Sequence, residues 1–519
     1  MRKKSNVTIT VHNGERSYPV ICRNEQSILE ALIANDQYFS AFCGGAGVCG
    51  KCRVRVIAGE LPATSYDEKI FTEEEVLSGW RLSCKAVPKG DCEIELKLND
   101  ENTFEVAAED VGKVSGDSSD AKFGIACDIG TTTIAMSLVN LVDKEVYAVY
   151  TSVNHQRMYG ADVISRIQAS NEGKGLELQK SIRKDLLSGI RDIIDKSGID
   201  RAQIQKVIVA GNTTMGHLLM GYSCETLGVS PFTPVNIGII TDSCEKILGE
   251  AVLSCPVTLI PGISAFVGAD ITAGILAYKI SEREEISLLI DLGTNGEMAI
   301  GNKDRIMVTS TAAGPAFEGG NIGCGMGSVQ GAISGVRIEG GEAAVTTIGD
   351  KPPVGICGTG VIETVAELVR TGLVDETGLL DESLEEGFLL GYTPEGEKIL
   401  FTGKDVREVQ LAKAAVRAGA ETLMLRFGVT AGQIDKVYLA GGFGLKIDQN
   451  KAIEIGLLPE KFRGKIEAVG NSSLKGAVNY LLEEEARIQT EEIIRISEEV
   501  NLSGDKDFNE LYMEYMFFE

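Results

Sequence analysis

The chain has 519 residues, 44% of them hydrophobic, which is enough for roughly two to four domains with substantial cores. Its formal net charge of −25 argues against binding to nucleic acid, whose backbone is also negative. The basic start MRKKSNVTIT precedes no apolar run, and the longest uncharged stretch, 251–269, is broken by prolines and glycines. We therefore expect a cytoplasmic protein without membrane spans, whose 12 cysteines serve metal or redox chemistry more than disulfides.

The first predicted domain covers residues 1–98 and contains a glycine-rich cysteine loop. A strand pair turns at His12-Asn13-Gly14, and the capping box Ser27-Ile28-Leu29-Glu30 begins a short helix. Strands are predicted after Cys52 and at 92–98. The loop CGGAGVCGKC between helix and strand contains G-x-G-x-x-G. That pattern binds a dinucleotide when it leaves a strand and opens a helix, and here the order is reversed.

Four cysteines of this domain have the spacing of an iron–sulfur site. Cys43, Cys49 and Cys52 form C-x5-C-x2-C, and Cys84 follows further along the chain. Four thiolates from one loop and one remote position suit a 2Fe–2S cluster, because glycines let the backbone wrap a bulky group. A four-thiolate zinc site is the alternative, although zinc sites usually pair two C-x2-C units.

The whole segment resembles the β-grasp domain of 2Fe–2S ferredoxins. The five-residue first gap resembles the spacing of adrenodoxin-like ferredoxins. Cys22 and Cys92 are predicted to be buried residues outside the cluster.

A repeated motif begins after a predicted acidic linker at 99–122. Asp128-Ile129-Gly130-Thr131 and Asp291-Leu292-Gly293-Thr294 each follow an apolar strand, which indicates two related halves. We place these halves at 123–285 and 286–482. A charged helical tail follows at 483–519, and its apolar end should pack on the body of the protein.

The two Asp-Gly-Thr turns have the chemistry of a phosphate clamp. Glycine permits close approach, backbone N–H groups and threonine hydroxyls bind phosphate oxygens, and a carboxylate holds Mg²⁺ through water. A third glycine turn at 441–444 can accept adenosine. The segment GNTTMGHL is not a P-loop, because its lysine is missing, but it can line the cleft. The predicted catalytic residues are Asp128 and Asp291, and the predicted nucleotide-binding residues are Gly130, Thr131, Thr132, Thr133, Asn212, Thr213, Gly293, Thr294, Asn295, Glu318, Gly358, Thr359, Gly360, Gly441, Gly442 and Phe443.

In this order, the two turns and LAGGFG resemble the acetate kinase, sugar kinase, Hsp70 and actin superfamily. The resemblance implies an α/β duplicated actin-like (ribonuclease H-like) ATPase domain after the α+β β-grasp ferredoxin domain. It also implies ATP and Mg²⁺ as ligands, and a connecting segment at 358–369. Cys324 and Cys357 are predicted to be structural, and the three histidines form no visible cluster.

The combination of both parts resembles the reductive activators of corrinoid proteins, which return cob(II)amide to cob(I)amide in the methyl-transfer systems of anaerobes. That resemblance implies a corrinoid protein as partner and a low-potential electron donor such as ferredoxin or flavodoxin. It also makes a homodimer an expected assembly. Larger members carry a domain between the ferredoxin and nucleotide parts, where this chain has only the linker, so we expect that domain to be missing.

Three other functions fit the same motifs. An ATP-driven electron donor of the 2-hydroxyacyl-CoA dehydratase activator type would share the large domain. A small-molecule kinase with a redox sensor would need a general base, for which Asp270 is a candidate. A pure binding module would use ATP to set affinity and the cluster as a structural element.

Overall fold

A computed structural model describes residues 6–96 except 15, 24, 36, 38–44, 46, 48, 49 and 51, together with 121–442 and 447–518. Cys43, Cys49, Phe443 and nearly all of the predicted linker lie outside the described residues. Two compact units form: one from Met1–Asn102, Val153–Asp185 and His217–Thr233, the other from Thr103–Ser152, Leu186–Gly216 and Pro234–Glu519. Within the described residues, the helices are all too short or too polar to cross a membrane.

The strands and helices are numbered separately in chain order. The strands are β1 (Asn6–Asn13), β2 (Arg16–Arg23), β3 (Arg53–Gly59), β4 (Trp80–Leu82), β5 (Cys92–Glu95), β6 (Phe123–Ile129), β7 (Thr133–Asn140), β8 (Val146–Val153), β9 (Ile204–Gly211), β10 (Ile240–Ser243), β11 (Pro256–Leu259), β12 (Ser287–Leu292), β13 (Gly296–Gly301), β14 (Ile306–Thr311), β15 (Ala332–Glu339), β16 (Glu342–Thr347), β17 (Gly355–Ile356), β18 (Phe388–Tyr392), β19 (Lys398–Phe401), β20 (Lys436–Ala440), β21 (Ile466–Gly470) and β22 (Ser497–Glu499). The helices are α1 (Ile28–Ala34), α2 (Asp67–Ile70), α3 (Glu73–Leu77), α4 (Val163–Ala169), α5 (Gly175–Ser197), α6 (Thr213–Met220), α7 (Cys244–Leu248), α8 (Ala269–Ala277), α9 (Gly358–Arg370), α10 (Gly403–Phe427), α11 (Gln449–Glu454), α12 (Ser472–Leu482), α13 (Ala486–Ile496) and α14 (Lys506–Glu514).

The N-terminal strands form one mixed sheet in the order β2-β1-β5-β3-β4. The predicted hairpin is present, with Gly14 at a φ of +58° in its turn. The predicted capping box is also present: the Ser27 hydroxyl accepts from the Glu30 N–H, and the Glu30 carboxylate accepts from the Ser27 N–H at 3.0 Å. Residues of α1 pack with those of the sheet in one buried core. This arrangement of sheet and helix matches the predicted β-grasp fold.

Two six-stranded sheets carry the predicted duplication. Their orders are β10-β11-β9-β6-β7-β8 and β21-β20-β12-β13-β14-β22. In each, the strand before the Asp-Gly-Thr turn pairs antiparallel with the next strand and parallel with a strand far along the chain. Asp128 lies opposite Ala210, and Asp291 lies opposite Ala440. The two halves therefore have equivalent strand pairings, as expected of an actin-like fold.

A glycine lies directly after the residue opposite the aspartate in each half, at the end of the parallel strand. A Cβ on Gly211 would lie 2.7 Å from the carbonyl oxygen of Ile129, and a Cβ on Gly441 would lie 2.1 Å from that of Leu292. Both glycines have positive φ, at +152° and +104°. Side chains at these positions would push the parallel strand away from the phosphate turn.

Helices α8 and α12 pack against each other between the two sheets. The approach is close, because a Cβ on Gly476 would lie only 1.9 Å from the carbonyl oxygen of Ala273. Residues of α8 share one core with β6 and β9 and another with β12 and β13. We expected 358–369 to be a connecting segment, and this prediction was wrong. That segment, α9, packs on β15, since Gly360 approaches the carbonyl oxygen of Ile333.

The C-terminal tail packs on the second half of the protein. Strand β22 pairs in parallel with β14, and α14 packs against α10. The buried Lys413 of α10 donates from Nζ to the carbonyl oxygens of Tyr515 at 2.7 Å and Phe517 at 2.6 Å. Phe518 is buried with its ring 5.0 Å from the same Nζ. A lysine that meets main-chain acceptors and a ring thus holds the apolar end in place.

Candidate functional site

Two of the four predicted cluster ligands lie side by side. The Sγ atoms of Cys52 and Cys84 are 3.3 Å apart, although 32 residues separate them in the chain. Gly45, Gly47 and Gly50 of the loop all have positive φ, between +71° and +86°. At these three positions the backbone has a conformation that glycine adopts easily, which suits a chain that wraps a cluster.

Cys22 and Cys92 are both buried, as predicted. Burial raises the pKa of each thiol to about 11, and the Glu30 charge adds to the shift at Cys22. Both thiols are therefore protonated at neutral pH in the absence of a metal ion, as expected of buried, inert cysteines. This supports a packing role for the pair.

The first predicted phosphate turn joins β6 to β7. The Gly130 N–H donates to the Thr133 carbonyl at 2.9 Å, and a Cβ on Gly130 would lie 2.7 Å from that oxygen. Asp128, at the end of β6, accepts from Ser473 Oγ at 2.6 Å and from Asn471 Nδ2 at 2.8 Å. Burial raises the pKa of Asp128, and these two hydrogen bonds oppose the shift.

The second predicted turn joins β12 to β13 with a similar closure. The Gly293 N–H donates to the Asn295 carbonyl at 3.0 Å. Ser472 Oγ donates to Asp291 at 3.3 Å. Desolvation raises the pKa of Asp291 to about 7, and the charges of Asp270 and Asp128 add to this. A carboxyl that titrates near neutrality suits a site that binds a cation, whose charge would favour ionisation.

The start of α12 supplies groups that sequence reasoning missed. Asn471, Ser472 and Ser473 reach the carboxylates of both turns, and Asn471 also caps α12 by accepting from the Leu474 N–H at 2.7 Å. The segment GNSSLKG does show an N-cap signal in the sequence. Its long-range partners were not readable, since Asn471 and Asp128 are 343 positions apart.

We expect Ser473→Ala to narrow the pH range of ATP turnover. The Ser473 hydroxyl lowers the Asp128 pKa, so its removal raises that pKa and keeps the carboxyl protonated to higher pH. The acid limb of the pH–rate profile should move to higher pH, while turnover well above neutrality changes less. An unchanged acid limb would show that Asp128 ionisation does not control the reaction.

Threonines of both turns converge on Glu318. Thr132 Oγ1 lies 3.1 Å and Thr294 Oγ1 lies 2.8 Å from Oε2 of Glu318. The two hydroxyls are 3.3 Å apart. The structure thus brings three of the predicted nucleotide contacts to one point, from turns that lie 162 positions apart in the chain.

Asn212 and Thr213 lie beside the first turn. Asn212 Nδ2 donates to Thr131 Oγ1 at 3.1 Å, while its Oδ1 accepts from the Met215 N–H at 2.9 Å. Thr213 Oγ1 donates to the Ser264 carbonyl at 2.6 Å. Asn212 therefore caps the N-terminus of α6 and also orients Thr131. This position fits the prediction that Asn212 lines the nucleotide cleft.

Two further acids lie close to the turns. Burial raises the pKa of Asp270, at the start of α8, to about 7, and the Asp128 charge contributes. Glu297, which sequence reasoning missed, lies opposite Asp291 in the register of β12 and β13. Burial raises the pKa of Glu297 well above the usual value. Among the described residues, no three metal-binding side chains converge on one point.

The remaining predicted nucleotide-binding residues within the described part of the chain lie in two glycine-containing segments of the second half. Gly441 donates from its N–H to the Gly470 carbonyl at 2.9 Å, and Gly442 is exposed. Gly358, Thr359 and Gly360 form the first turn of α9. The nucleotide contacts of these residues stay predictions.

Three family models match this chain in succession. Residues 11–89 match the 2Fe–2S iron–sulfur cluster binding domain, 123–283 match the RACo middle region, and 285–519 match the C-terminal domain of RACo, the ASKHA domain. The first match decides between the iron–sulfur cluster and zinc in favour of the 2Fe–2S cluster. The third is the actin-like class that binds ATP.

Known proteins match over most of the chain. The corrinoid activation enzyme RamQ of Eubacterium limosum is 35% identical over 75% of this chain and 69% of that protein. A [Co(II) methylated amine-specific corrinoid protein] reductase of Methanosarcina barkeri is 27% identical over 75% of this chain and 76% of that protein. The solved structure of a reductive activator for corrinoid,iron–sulfur protein is 30% identical with a TM-score of 0.71, covering 99% of this chain and 98% of that one.

This chain belongs to the family of reductive activators of corrinoid proteins. The expectation that it lacks a middle domain of that family was wrong. Residues 123–283 match the middle region itself, and 98% of the solved activator is covered. The Asp-Gly-Thr turn at 128–131 predicts one half of a nucleotide-binding fold, and it carries no signal that the same segment is the family's middle region.

Proposed function

We propose that this protein is an ATP-dependent reductive activator of a corrinoid protein. It passes one electron from its 2Fe–2S cluster to cob(II)amide in the partner and so regenerates cob(I)amide for methyl transfer. The observation that carries the proposal is the presence, on one chain, of a 2Fe–2S domain and a cleft whose two phosphate turns converge on one point.

The proposal assigns a role to each group of residues. The cluster ligands are Cys43, Cys49, Cys52 and Cys84, whose thiolates hold the two irons. Asp128 and Asp291 hold Mg²⁺ through water, and the N–H and hydroxyl groups of both turns bind the phosphates. Gly441, Gly442 and Phe443 contact adenosine. The hydrogen bonds from Ser473 and Asn471 orient Asp128 toward this task.

ATP is needed because the electron transfer is uphill. A plant-type 2Fe–2S cluster has a potential near about −400 mV. For a one-electron step, each 59 mV by which the acceptor lies lower costs about a factor of ten in the equilibrium constant. A nucleotide state that binds the reduced partner more tightly shifts this balance by its difference in affinity. Nucleotide turnover then returns the protein to its starting state.

The proposal also includes an external donor and a larger assembly. A low-potential protein such as ferredoxin or flavodoxin re-reduces the cluster after each transfer. The protein acts as a homodimer in the cytoplasm.

The test is anaerobic and uses the full chain with its cluster reduced. The protein is mixed with a corrinoid protein in the cob(II)amide state, and the cob(I)amide absorbance is followed with and without Mg-ATP. Growth of cob(I)amide that depends on ATP is the expected result. ATP hydrolysis without cob(I)amide would favour the dehydratase-activator type. Phosphorylation of a small molecule would favour the kinase, for which Asp270 is the base to replace.

A further inference from the structure

A single carboxylate oxygen receives the donors of both phosphate turns. Oε2 of Glu318 lies within hydrogen-bonding distance of Thr132 Oγ1 and Thr294 Oγ1. Each hydroxyl has one proton, and an ionised carboxylate can only accept, so both threonines donate to Glu318. Both hydroxyls are thus committed to the same acceptor. A nucleotide phosphate presents the same kind of charged acceptor oxygen.

We propose that the Glu318 carboxylate competes with the phosphates of the nucleotide for Thr132 and Thr294. ATP or ADP must displace this carboxylate to reach the two hydroxyls. The inference rests on the nucleotide site of the proposed function, and it reverses the expected role of Glu318 from contact to competitor. Two anions cannot share two single-proton donors, and their charges repel each other at this distance. Phosphate binding therefore requires the Glu318 side chain to leave.

The backbone around Glu318 is held in place, so the side chain must move alone. Phe317 is fully buried in the core, and a Cβ on Gly358 would lie 1.7 Å from its carbonyl oxygen. On the other side, Gly319 has a φ of +77°, and its Cβ would lie 2.5 Å from the Met326 carbonyl oxygen. Displacement thus requires a rotamer change that breaks the two hydrogen bonds from the threonines, without rearrangement of the turn at 315–318.

The competition also links the two halves of the ATPase fold. Thr132 belongs to the turn after β6, and Thr294 belongs to the turn after β12. Glu318 therefore joins the halves through side-chain hydrogen bonds. When a phosphate displaces Glu318, the two threonines are connected through the nucleotide instead of through the Glu318 carboxylate. The connection between the halves then depends on nucleotide state, as a conformational switch requires.

Calorimetry on the full chain tests the competition without any corrinoid partner. The dissociation constants of Mg-ADP and of adenosine are measured for wild type, Glu318→Ala and Glu318→Gln. We expect Glu318→Ala to bind Mg-ADP about ten-fold more tightly, since the nucleotide no longer breaks charge-assisted hydrogen bonds. Adenosine affinity should not change. Glu318→Gln keeps the size of the side chain and an acceptor oxygen but removes the charge. Its affinity for Mg-ADP should therefore lie between those of wild type and Glu318→Ala.

Glu342→Ala is the matched control, because it removes an exposed carboxylate from β16 and leaves the turns untouched. Weaker Mg-ADP binding in both Glu318 variants would overturn the inference and make Glu318 a ligand of the nucleotide or its cation. Equal tightening of Mg-ADP and adenosine would also overturn it, since a general loosening of the cleft acts on both. If wild type binds neither molecule, the nucleotide site of the proposed function fails first.

Discussion

Replacing Cys84 with alanine is expected to remove the visible iron–sulfur absorbance and all cob(I)amide formation. Cys84 Sγ lies 3.3 Å from Cys52 Sγ, and Cys84 lies close to the positive-φ residue Gly45. A 2Fe–2S cluster needs four thiolates, and alanine supplies none. Nucleotide binding should persist, because the phosphate turns lie on other strands. The measurements are the visible and electron paramagnetic resonance spectra after anaerobic reconstitution, with Mg-ADP binding on the same sample.

The matched control is Cys92→Ala in the same domain. Cys92 is buried in the hydrophobic core of this domain and lies outside the C-x5-C-x2-C motif, so we do not expect it to ligate iron. This variant should keep the spectrum and the activity. A wild-type spectrum in Cys84→Ala, or a lost one in Cys92→Ala in a folded protein, would contradict the ligand assignment.

Asp291→Asn is expected to lower ATP turnover by on the order of 100-fold, since it removes a charge that holds the cation at the phosphates. The cluster spectrum should be unchanged. Asp304→Asn, an exposed position on the loop between β13 and β14, is the control and should turn over ATP normally. ATP turnover near the wild-type rate in Asp291→Asn would contradict the role of this residue in the phosphate clamp.

The same substitution should stabilise the protein at neutral pH. The folded state raises the Asp291 pKa from 3.8 to about 7, so the ionised carboxylate opposes folding increasingly as pH rises through that window. Asparagine cannot ionise. The melting temperature of Asp291→Asn should therefore exceed that of wild type by a margin that grows from about pH 4 to 7 and is constant above it, in metal-free buffer. A margin independent of pH would show that Asp291 is not desolvated.

Local patterns predicted much of the molecule. The capping box at Ser27, the hairpin at Gly14 and the two Asp-Gly-Thr turns depend on neighbours within a few residues, and these were confirmed. The 2Fe–2S cluster also followed from spacing, and the family match agrees. The middle region was not recognised, because its Asp-Gly-Thr turn is the same motif that occurs in the second half of the duplication.

The sequence by itself determined which residue types stand at each turn: the cysteines, the paired aspartates, the threonines and the glycines that let the chain bend. Only the tertiary structure decided what faces them. Helix α12 brings Ser473 to Asp128, and the turn at 315–318 brings Glu318 between Thr132 and Thr294. The physical reason is range. Turn and cap hydrogen bonds close within four or five residues, whereas these contacts depend on sheet pairing and on the close packing of α8 against α12.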